Sequence, residues 1–250
     1  MSLVRSEVQD GVGTVTLDDP DRRNTISMEM VPEVIAAMDG LEADDSVGAI
    51  VVTGAGKGFC AGAQLGQLEG SGDGSVSDVY EAFLRVARSP LPTIAAINGA
   101  AVGAGMNLAL CCDVRIASTK AKFITRFLDL GLHPGGGHTW MLRRAIGPQA
   151  AAAMLFLEEG IDAVEAERIG LIWKAVEPDD LLPTARTLGA RAASYPRPVV
   201  EMVKRNLARM ATVEEHDEAV AIELTDQLWT LNQPWFAERV AEFQARISKR

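Results

Sequence analysis

The chain of 250 residues carries 34 acidic and 24 basic side chains, a formal net charge of −10, and 48% apolar residues. A chain of this length buries enough surface to fold as one globular domain without disulfides or a structural metal. Its acidic balance excludes the broad cationic surface that nucleic-acid binding needs. An anionic ligand must therefore be met by local groups such as backbone amides, helix N-termini or single arginines.

The cysteines Cys60, Cys111 and Cys112 lack CxxC spacing and lie among small, apolar residues. This context is typical of inert, packed thiols in a reducing compartment. The N-terminal residues form no apolar segment of the signal-peptide kind, and no uninterrupted apolar run has the length of a membrane span. We therefore expect a cytoplasmic protein with no membrane insertion.

The first third of the chain alternates strand and helix patterns. Residues 12–17 alternate at period two, and residues 48–53 form a short apolar run that suits a strand buried on both faces. Between them, apolar residues recur at steps of three and four over 28–41, with Ser27 as a helix N-cap. These patterns predict the α/β class.

The middle of the chain continues this alternation. Residues 93–97 predict a strand, and the glycine and alanine run after Asn98 opens a helix that extends to Cys112. Residues 114–117 and 122–124 predict two more short strands. The glycine- and serine-rich segment Glu69 to Asp78 predicts a loop, which is either a lid or a solvated insertion.

From Pro148 onward the pattern predicts helices alone. Asp162 with Glu165 resembles a capping box, in which a side-chain oxygen accepts from a free amide of the first turn. A compositional shift near Ala190 divides the chain into a core of residues 1–190 and a helical region of residues 191–250, which we expect to form an interface or a cover.

Two segments place small residues after a predicted strand. Gly54 to Gly58 has neither the GxGxxG nor the P-loop spacing. Residues 58–65 and 98–108 both offer backbone amides that a ligand can approach closely, and the amide of Ala104 lies at the start of the predicted helix. Two such amides facing each other form an oxyanion hole, although close helix and strand packing explains the small residues equally well.

The sequence resembles the enoyl-CoA hydratase/isomerase (crotonase) superfamily along nearly its whole length. The motifs that carry the resemblance are Leu17-Asp18-Asp19-Pro20 with Asn24, Phe59-Cys60-Ala61-Gly62-Ala63, Asn98-Gly99, Cys112-Asp113, Pro134-Gly135-Gly136-Gly137, Glu165-Ala166 with Gly170-Leu171, and Lys204. Together these motifs are far more specific than any single glycine-rich loop.

The resemblance implies a crotonase-like spiral of β-β-α units with a helical C-terminal trimerisation region, and a homotrimer or hexamer. The implied ligand is an acyl-CoA thioester, with no further cofactor and no metal. Its thioester oxygen would accept from the amides of Ala63 and Ala104. The residues implied to hold the coenzyme A portion are Arg22, Arg23, Ala61, Gly62, Gln64 and Leu65.

The sequence departs from the family at its two catalytic glutamates. The corresponding positions here are Asn107 and Phe127, and neither side chain accepts a proton near neutral pH. General acid-base catalysis contributes a factor of about 10² to 10⁴ in rate. We therefore do not expect efficient hydration by two glutamates.

Other side chains are candidates for the missing base. Asp129 shares a face with Phe127 only in an extended segment, and His133 and His138 lie on either side of the glycine loop. A structural role is the alternative for each of these three residues. His216 is predicted to lie in an acidic, solvated helix. The large apolar residues of this region belong either to an acyl pocket or to the core: Phe127, Leu128, Leu130, Leu132 and Trp140.

Two functions stay open at this point. The first is an enoyl-CoA hydratase/isomerase-type enzyme, a lyase or an isomerase, that stabilises a thioester enolate and uses Asp129 or His133 as a non-standard base. The second is a catalytically silent acyl-CoA-binding protein. Both functions need the same thioester site.

Overall fold

The computed structural model describes residues 2–64, 66, 73–157 and 160–247. It divides into two compact units, Met1–Ser194 and Tyr195–Arg250. The division lies close to the compositional shift near Ala190. What each region does stays a prediction.

The first unit repeats a succession of two strands and one helix. The elements are β1 (Val4–Gln9), β2 (Val12–Leu17), α1 (Met30–Ala43), β3 (Ala49–Gly54), β4 (Gly58–Cys60), α2 (Asp73–Ala87), β5 (Thr93–Ile97), β6 (Ala100–Val102), α3 (Ala104–Leu110), β7 (Val114–Ser118), β8 (Lys122–Ile124) and α4 (His138–Phe156). After them come β9 (Ile161–Asp162), α5 (Ala163–Arg168), β10 (Lys174–Val176) and α6 (Leu181–Ala193). This repeat is the predicted succession of β-β-α units.

The repeats β3-β4-α2, β5-β6-α3 and β7-β8-α4 each contribute one strand to each of two sheets, whereas β1 and β2 both belong to the larger sheet. The larger sheet has the order β1-β2-β3-β5-β7-β10, and the smaller has the order β4-β6-β8-β9. In the smaller sheet β4 pairs in parallel with β6, with Cys60 opposite Ala101. Because parallel strands end at the same edge of a sheet, the residues that follow β4 and β6 come to lie together.

The two strands predicted from short runs of apolar residues are confirmed. Residues Ala49–Gly54 and Thr93–Ile97 are buried along their whole length. The Ser27 Oγ accepts from the amide of Met30 at 3.3 Å, but the N-cap residue of α1 is Glu29 and not the predicted Ser27. The Asp162 side chain accepts from the amide of Glu165 at 2.9 Å, as the capping-box pattern predicts.

The expectation of helices alone after Pro148 is wrong. The short strands β9 and β10 pair with β8 and β7 at the sheet edges, and two or three residues are too few to display a period. Helix α4 starts earlier, at His138, and is interrupted at Gly147, where φ is +77° and ψ is 170°. A left-handed φ favours glycine at this break.

The predicted loop from Glu69 to Asp78 is corrected in part. Residues 69–72 lie outside the described residues, whereas residues 73–78 form the start of α2. Helix α2 buries a stripe at steps of three and four, made by Val79, Ala82, Phe83 and Val86. This stripe begins only after the serines and glycines, which explains why the helix start was missed.

The second unit consists of α7 (Arg197–Met210), α8 (His216–Leu231) and α9 (Pro234–Ile247). None of the described residues in these three helices is fully buried. Asp226 on α8 accepts from Arg205 at 3.0 Å and from Asn206 at 2.9 Å on α7. Within the described ranges, every helix is too short or too polar to cross a membrane.

Candidate active site

Two buried or half-buried asparagines hold the turn that leads into β4. Asn24 Nδ2 donates to the carbonyls of Ala55 at 2.9 Å and Gly58 at 2.8 Å. Asn98 Nδ2 donates to the carbonyls of Gly56 at 3.0 Å and Gly58 at 3.1 Å. These bonds satisfy backbone carbonyls of the turn and of the first residue of β4, so the two asparagines position the segment that follows β4.

The amide of Ala63 is oriented by an isolated parallel bridge to Ile26. The Ile26 amide donates to Gly62 O at 2.8 Å, and the Gln64 amide donates to Ile26 O at 2.9 Å. Because this pairing uses the groups on either side of Ala63, the N–H of Ala63 points away from Ile26. Ala63 is half-buried, so a ligand can reach this amide.

Ala104 is the first residue of α3. Gly103 precedes it with a φ of +50°, and the Gly103 amide donates to Ile124 O at 2.9 Å. The first amides of a helix have no acceptor within the helix. The half-buried Ala104 therefore offers a backbone donor at the helix start.

Two glycines allow these segments to approach each other. A Cβ on Gly62, whose φ is +106°, would lie 3.1 Å from Val102 O and 3.9 Å from the amide nitrogen of Ala104. A Cβ on Gly105 would lie 2.1 Å from Cys60 O. The backbone next to Ala63 is thus brought against the start of α3, as an oxyanion hole requires.

An exposed cationic edge lies beside this segment. Arg22 and Arg23 are both exposed, and the Arg23 carbonyl accepts from the Ala61 amide at 3.0 Å. The backbone of Arg23 is therefore tied to the segment that carries the predicted oxyanion amide. Leu65, which the resemblance places among the residues that hold coenzyme A, lies outside the described residues.

Asn107 forms a closed cycle of three hydrogen bonds, which we call the Asn107 cycle. Its Nδ2 donates to Gly135 O at 3.0 Å, and its Oδ1 lies 2.7 Å from Nδ1 of His138. The His138 amide closes the cycle by donating to Gly135 O at 3.2 Å. Because Nδ2 faces a carbonyl, Oδ1 faces His138, so Nδ1 of the imidazole carries the proton.

The His138 imidazole is neutral and fully buried. Burial lowers the pKa of His138 from 6.5 to about 4. Its other nitrogen, Nε2, is buried and has no hydrogen-bond partner among the described residues. A buried acceptor of this kind is uncommon in folded proteins and calls for an explanation.

Phe127 connects His138 to the start of α3. The two aromatic rings meet edge to face, with centroids 4.9 Å apart and an interplanar angle of 62°. The Phe127 ring also comes within 3.8 Å of where a Cβ on Gly103 would lie. Asn107 and Phe127, the two positions at which the sequence resemblance implies glutamates, therefore both contact His138.

The two other candidate bases lie on the surface. The Asp129 carboxylate is 65% exposed and lies 3.6 Å from the Arg126 guanidinium. His133 is exposed, and its Nδ1 lies 2.7 Å from Pro134 O. The described contacts connect neither side chain to Asn107, and a catalytic role for either stays a prediction.

The large apolar side chains of this region are not core residues. Exposed fractions between 46% and 57% are found for Leu128, Leu130, Leu132 and Trp140. Trp140 is covered in part by Arg144, whose guanidinium carbon lies 3.7 Å from the ring centroid.

The three cysteines lie among the described residues, are buried and form no disulfide bond. Burial raises the pKa of the Cys60 thiol and of the Cys111 thiol to about 12. Since the thiolate is the reactive form, neither thiol is a nucleophile at neutral pH. The described residues contain no cluster of three His, Cys, Asp or Glu side chains that could hold a metal ion.

The role of His138 is the part of this site that sequence reasoning did not resolve. Its position after three glycines was visible, but nothing in the spacing connects it to Asn107, 31 residues earlier. The only available signal was that both positions carry polar side chains next to family motifs.

The chain is similar to known proteins along nearly all of its length. The sequence model of the enoyl-CoA hydratase/isomerase family matches residues 7–245. A probable enoyl-CoA hydratase of Mycobacterium tuberculosis (strain CDC 1551 / Oshkosh) is 46% identical over 245 residues, 94% of each chain. The 1,2-epoxyphenylacetyl-CoA isomerase of Escherichia coli (strain K12) is 34% identical over 256 residues, covering 99% of this chain and 97% of the isomerase. A crystal structure of a probable enoyl-CoA hydratase/isomerase from Mycobacterium abscessus has a TM-score of 0.88 at 34% identity, covering 100% of this chain and 97% of that chain.

Proposed function

Because the chain belongs to the enoyl-CoA hydratase/isomerase (crotonase) family, we propose that it binds an acyl-CoA thioester and stabilises its enolate with the amides of Ala63 and Ala104. One relative is a probable enoyl-CoA hydratase and another is an isomerase of a CoA thioester. A CoA thioester is therefore the ligand class that these relatives share. The proposed chemistry needs no further cofactor.

The observation that carries this proposal is the approach of two backbone segments. Gly62 lies against Val102 O with the amide of Ala104 close by, and the bridge to Ile26 turns the Ala63 amide away from its strand partner. Two backbone donors at one place are the requirement for holding a thioester oxygen as negative charge develops on it.

The mechanism of hydration by two glutamates does not fit this chain. Asn107 already bonds to Gly135 and His138, and Phe127 packs on the imidazole. Neither side chain can act as a general base toward water. We propose an enzyme that forms an enolate, a lyase or isomerase, and that does not use the two-glutamate hydration reaction.

A catalytically silent acyl-CoA-binding protein is the second candidate. The observation that favours it is the exposure of both sequence-predicted bases, since Asp129 is 65% exposed and His133 is exposed. In that function the two amides and the cationic edge at Arg22 and Arg23 would bind the thioester without turnover.

Binding and turnover separate these functions. Thermal unfolding is measured with and without butyryl-CoA, since a ligand that binds only the folded state raises its stability. Turnover of trans-2-enoyl-CoA and 3-enoyl-CoA is followed by the absorbance of the conjugated thioester. Stabilisation with turnover supports the enzyme, and stabilisation without turnover supports the silent protein. If butyryl-CoA and free coenzyme A both leave the melting temperature unchanged, the proposed ligand class is wrong.

The helices of the second unit support a further proposal about assembly. Helices α7, α8 and α9 bury none of their described residues fully, and Leu207 and Phe243 are 71% and 65% exposed. Apolar helix faces of this kind are usually covered by a partner. We propose that this unit forms a homotrimer or hexamer in the cytoplasm, which sedimentation velocity tests directly.

A further inference from the structure

His138 combines three properties of a catalytic base. It is neutral, Nδ1 is fixed as a donor by Asn107 Oδ1 at 2.7 Å, and its remaining lone pair on Nε2 has no partner among the described residues. A histidine whose one nitrogen donates to a fixed acceptor presents the other nitrogen as a base. The Asn107 cycle thus does for His138 what an orienting residue does in a catalytic dyad.

The basicity of this imidazole suits the reaction. Burial lowers the pKa of His138 to about 4, which is close to the value of about 4.3 for an unperturbed glutamate. The buried His138 is therefore unprotonated at neutral pH, which is the state that a proton acceptor needs.

The location of His138 connects it to the thioester site. Asn107 lies three residues after Ala104, about one turn along α3. The Phe127 ring contacts the His138 ring and also lies close to Gly103, the residue before Ala104. Phe127 is half-buried, so turning this side chain aside would open the imidazole toward an acyl group bound at Ala104.

We propose that His138, held by Asn107, is the proton-transfer residue of this site, and that the substrate is a 3-enoyl-CoA whose double bond it shifts. This inference rests on the proposed binding of acyl-CoA thioesters. It adds to that function a residue with a defined proton-accepting atom.

The reaction balances with one base and no other reactant. The Nε2 lone pair takes a proton from carbon 2 of the acyl group, and the electron pair of that C–H bond spreads through the thioester to its oxygen, held by the two amides. Nε2 then returns the proton to carbon 4, and the double bond moves from carbons 3 and 4 to carbons 2 and 3.

The test separates binding from proton transfer. Butyryl-CoA is incubated with the protein in D2O, and deuterium at carbon 2 is measured by mass spectrometry; the conversion of 3-hexenoyl-CoA to 2-hexenoyl-CoA is followed by absorbance. His138→Asn keeps a side-chain donor for Asn107 Oδ1 and removes the Nε2 lone pair. We expect this variant to lose about 100-fold or more in both rates, with its Kd for butyryl-CoA changed less than about threefold. His216→Asn, the same substitution at an exposed histidine of α8, is expected to change neither rate.

Three results would overturn the assignment. One is a His138→Asn variant that exchanges deuterium at the wild-type rate, and another is a wild-type protein that binds butyryl-CoA but exchanges no deuterium. The third result, no binding of any acyl-CoA by the wild-type protein, would overturn the proposed function and the inference together.

A second variant keeps the test decisive if His138→Asn fails to fold. Phe127→Ala leaves His138 and Asn107 in place and removes the ring that packs edge to face against the imidazole. At saturating butyryl-CoA, we expect faster deuterium exchange than in the wild-type protein. Exchange that is unchanged or slower would count against His138 as the base.

Discussion

Nδ1 of His138 donates to Oδ1 of Asn107 across 2.7 Å, and both side chains are buried. Asn107 lies where the family resemblance implies a glutamate. At this position the chain therefore has no base, but an amide that orients the His138 imidazole. Polar groups buried in this way are costly unless they are paired. The Asn107 cycle pairs every polar atom of the two side chains except Nε2.

The stability of the protein should fall as His138 becomes protonated in the unfolded state. The pKa is about 4 in the folded protein and 6.5 in the reference state, so the unfolded chain binds more protons between these values. The stabilising contribution is fully present above pH 6.5 and is lost as the pH falls toward 4. Its size is about 3 kcal/mol, which urea unfolding at a series of pH values measures.

The control for this pH dependence is His138→Asn, which cannot titrate. Subtracting its unfolding free energy from that of the wild-type protein removes the shared contribution of the carboxylates. A difference that stays constant from pH 7 to pH 4 would contradict the neutral, buried imidazole.

Gly105→Ala should destabilise the protein and weaken acyl-CoA binding. The added Cβ would lie 2.1 Å from Cys60 O, so α3 and the segment after β4 must move apart, and with them the two amides. We expect a loss of about 3 kcal/mol in unfolding free energy and a higher Kd for butyryl-CoA. Chemical unfolding and calorimetric titration measure the two effects.

Gly40→Ala is the matched control, since a Cβ there has nothing within 4 Å and the residue lies inside α1. We expect this variant to gain about 0.5 to 1 kcal/mol and to bind butyryl-CoA as the wild-type protein does. Equal stability of the two variants would show that α3 and the β4 segment do not approach as described.

Replacing both Arg22 and Arg23 by Gln should weaken binding of the phosphates of coenzyme A. Both side chains are exposed, so the expected loss is modest, roughly fivefold in Kd at low salt. The effect should shrink as the salt concentration rises because ions screen exposed charges. Titration of butyryl-CoA at two ionic strengths measures it.

The charge control for this variant is the replacement of Lys120 and Lys174 by Gln. It removes the same two charges beside the β7 and β10 edge of the larger sheet. If this control weakens binding as much as the arginine variant does, the arginines contribute only net charge.

Placing Glu at both position 107 and position 127 should create hydration of trans-2-enoyl-CoA. The double variant supplies an acid and a base, and we expect at least about tenfold more 3-hydroxyacyl-CoA than the wild-type protein forms. The same two positions changed to Gln form the uncharged control and should give no gain. Absence of any gain in the Glu variant would contradict the correspondence of these positions to the family glutamates.

Local sequence patterns predict most of the fold. The alternation over residues 12–17 and the buried run at Ala49–Gly54 were readable because a strand repeats every two residues. The capping pair Asp162 and Glu165 was readable because its chemistry lies within one turn. In contrast, β9 and β10 are too short to show a period and are defined by their pairing with the distant strands β8 and β7.

The sequence predicts only the backbone groups of the candidate site, not its side-chain contacts. The small residues around Gly62 and Gly103 marked where amides lie accessible, because close approach demands glycine. The pairing of Asn107 with His138 depends on where the first turn of α4 lies relative to α3. No local sequence pattern predicts that position. The same holds for Asp129, whose surface position follows from the short helical turn Leu128–Leu130.

The contacts that build the site join residues between 28 and 44 positions apart along the chain. Asn24 bonds to Gly58, 34 residues later, Gly54 to Asn98, 44 residues later, and Asn107 to Gly135, 28 residues later. Each contact joins one β-β-α unit to the next, so the site is built from residues of consecutive units. If the chain folds in the order of its synthesis, the segments of Ala63 and Ala104 meet before His138 reaches Asn107.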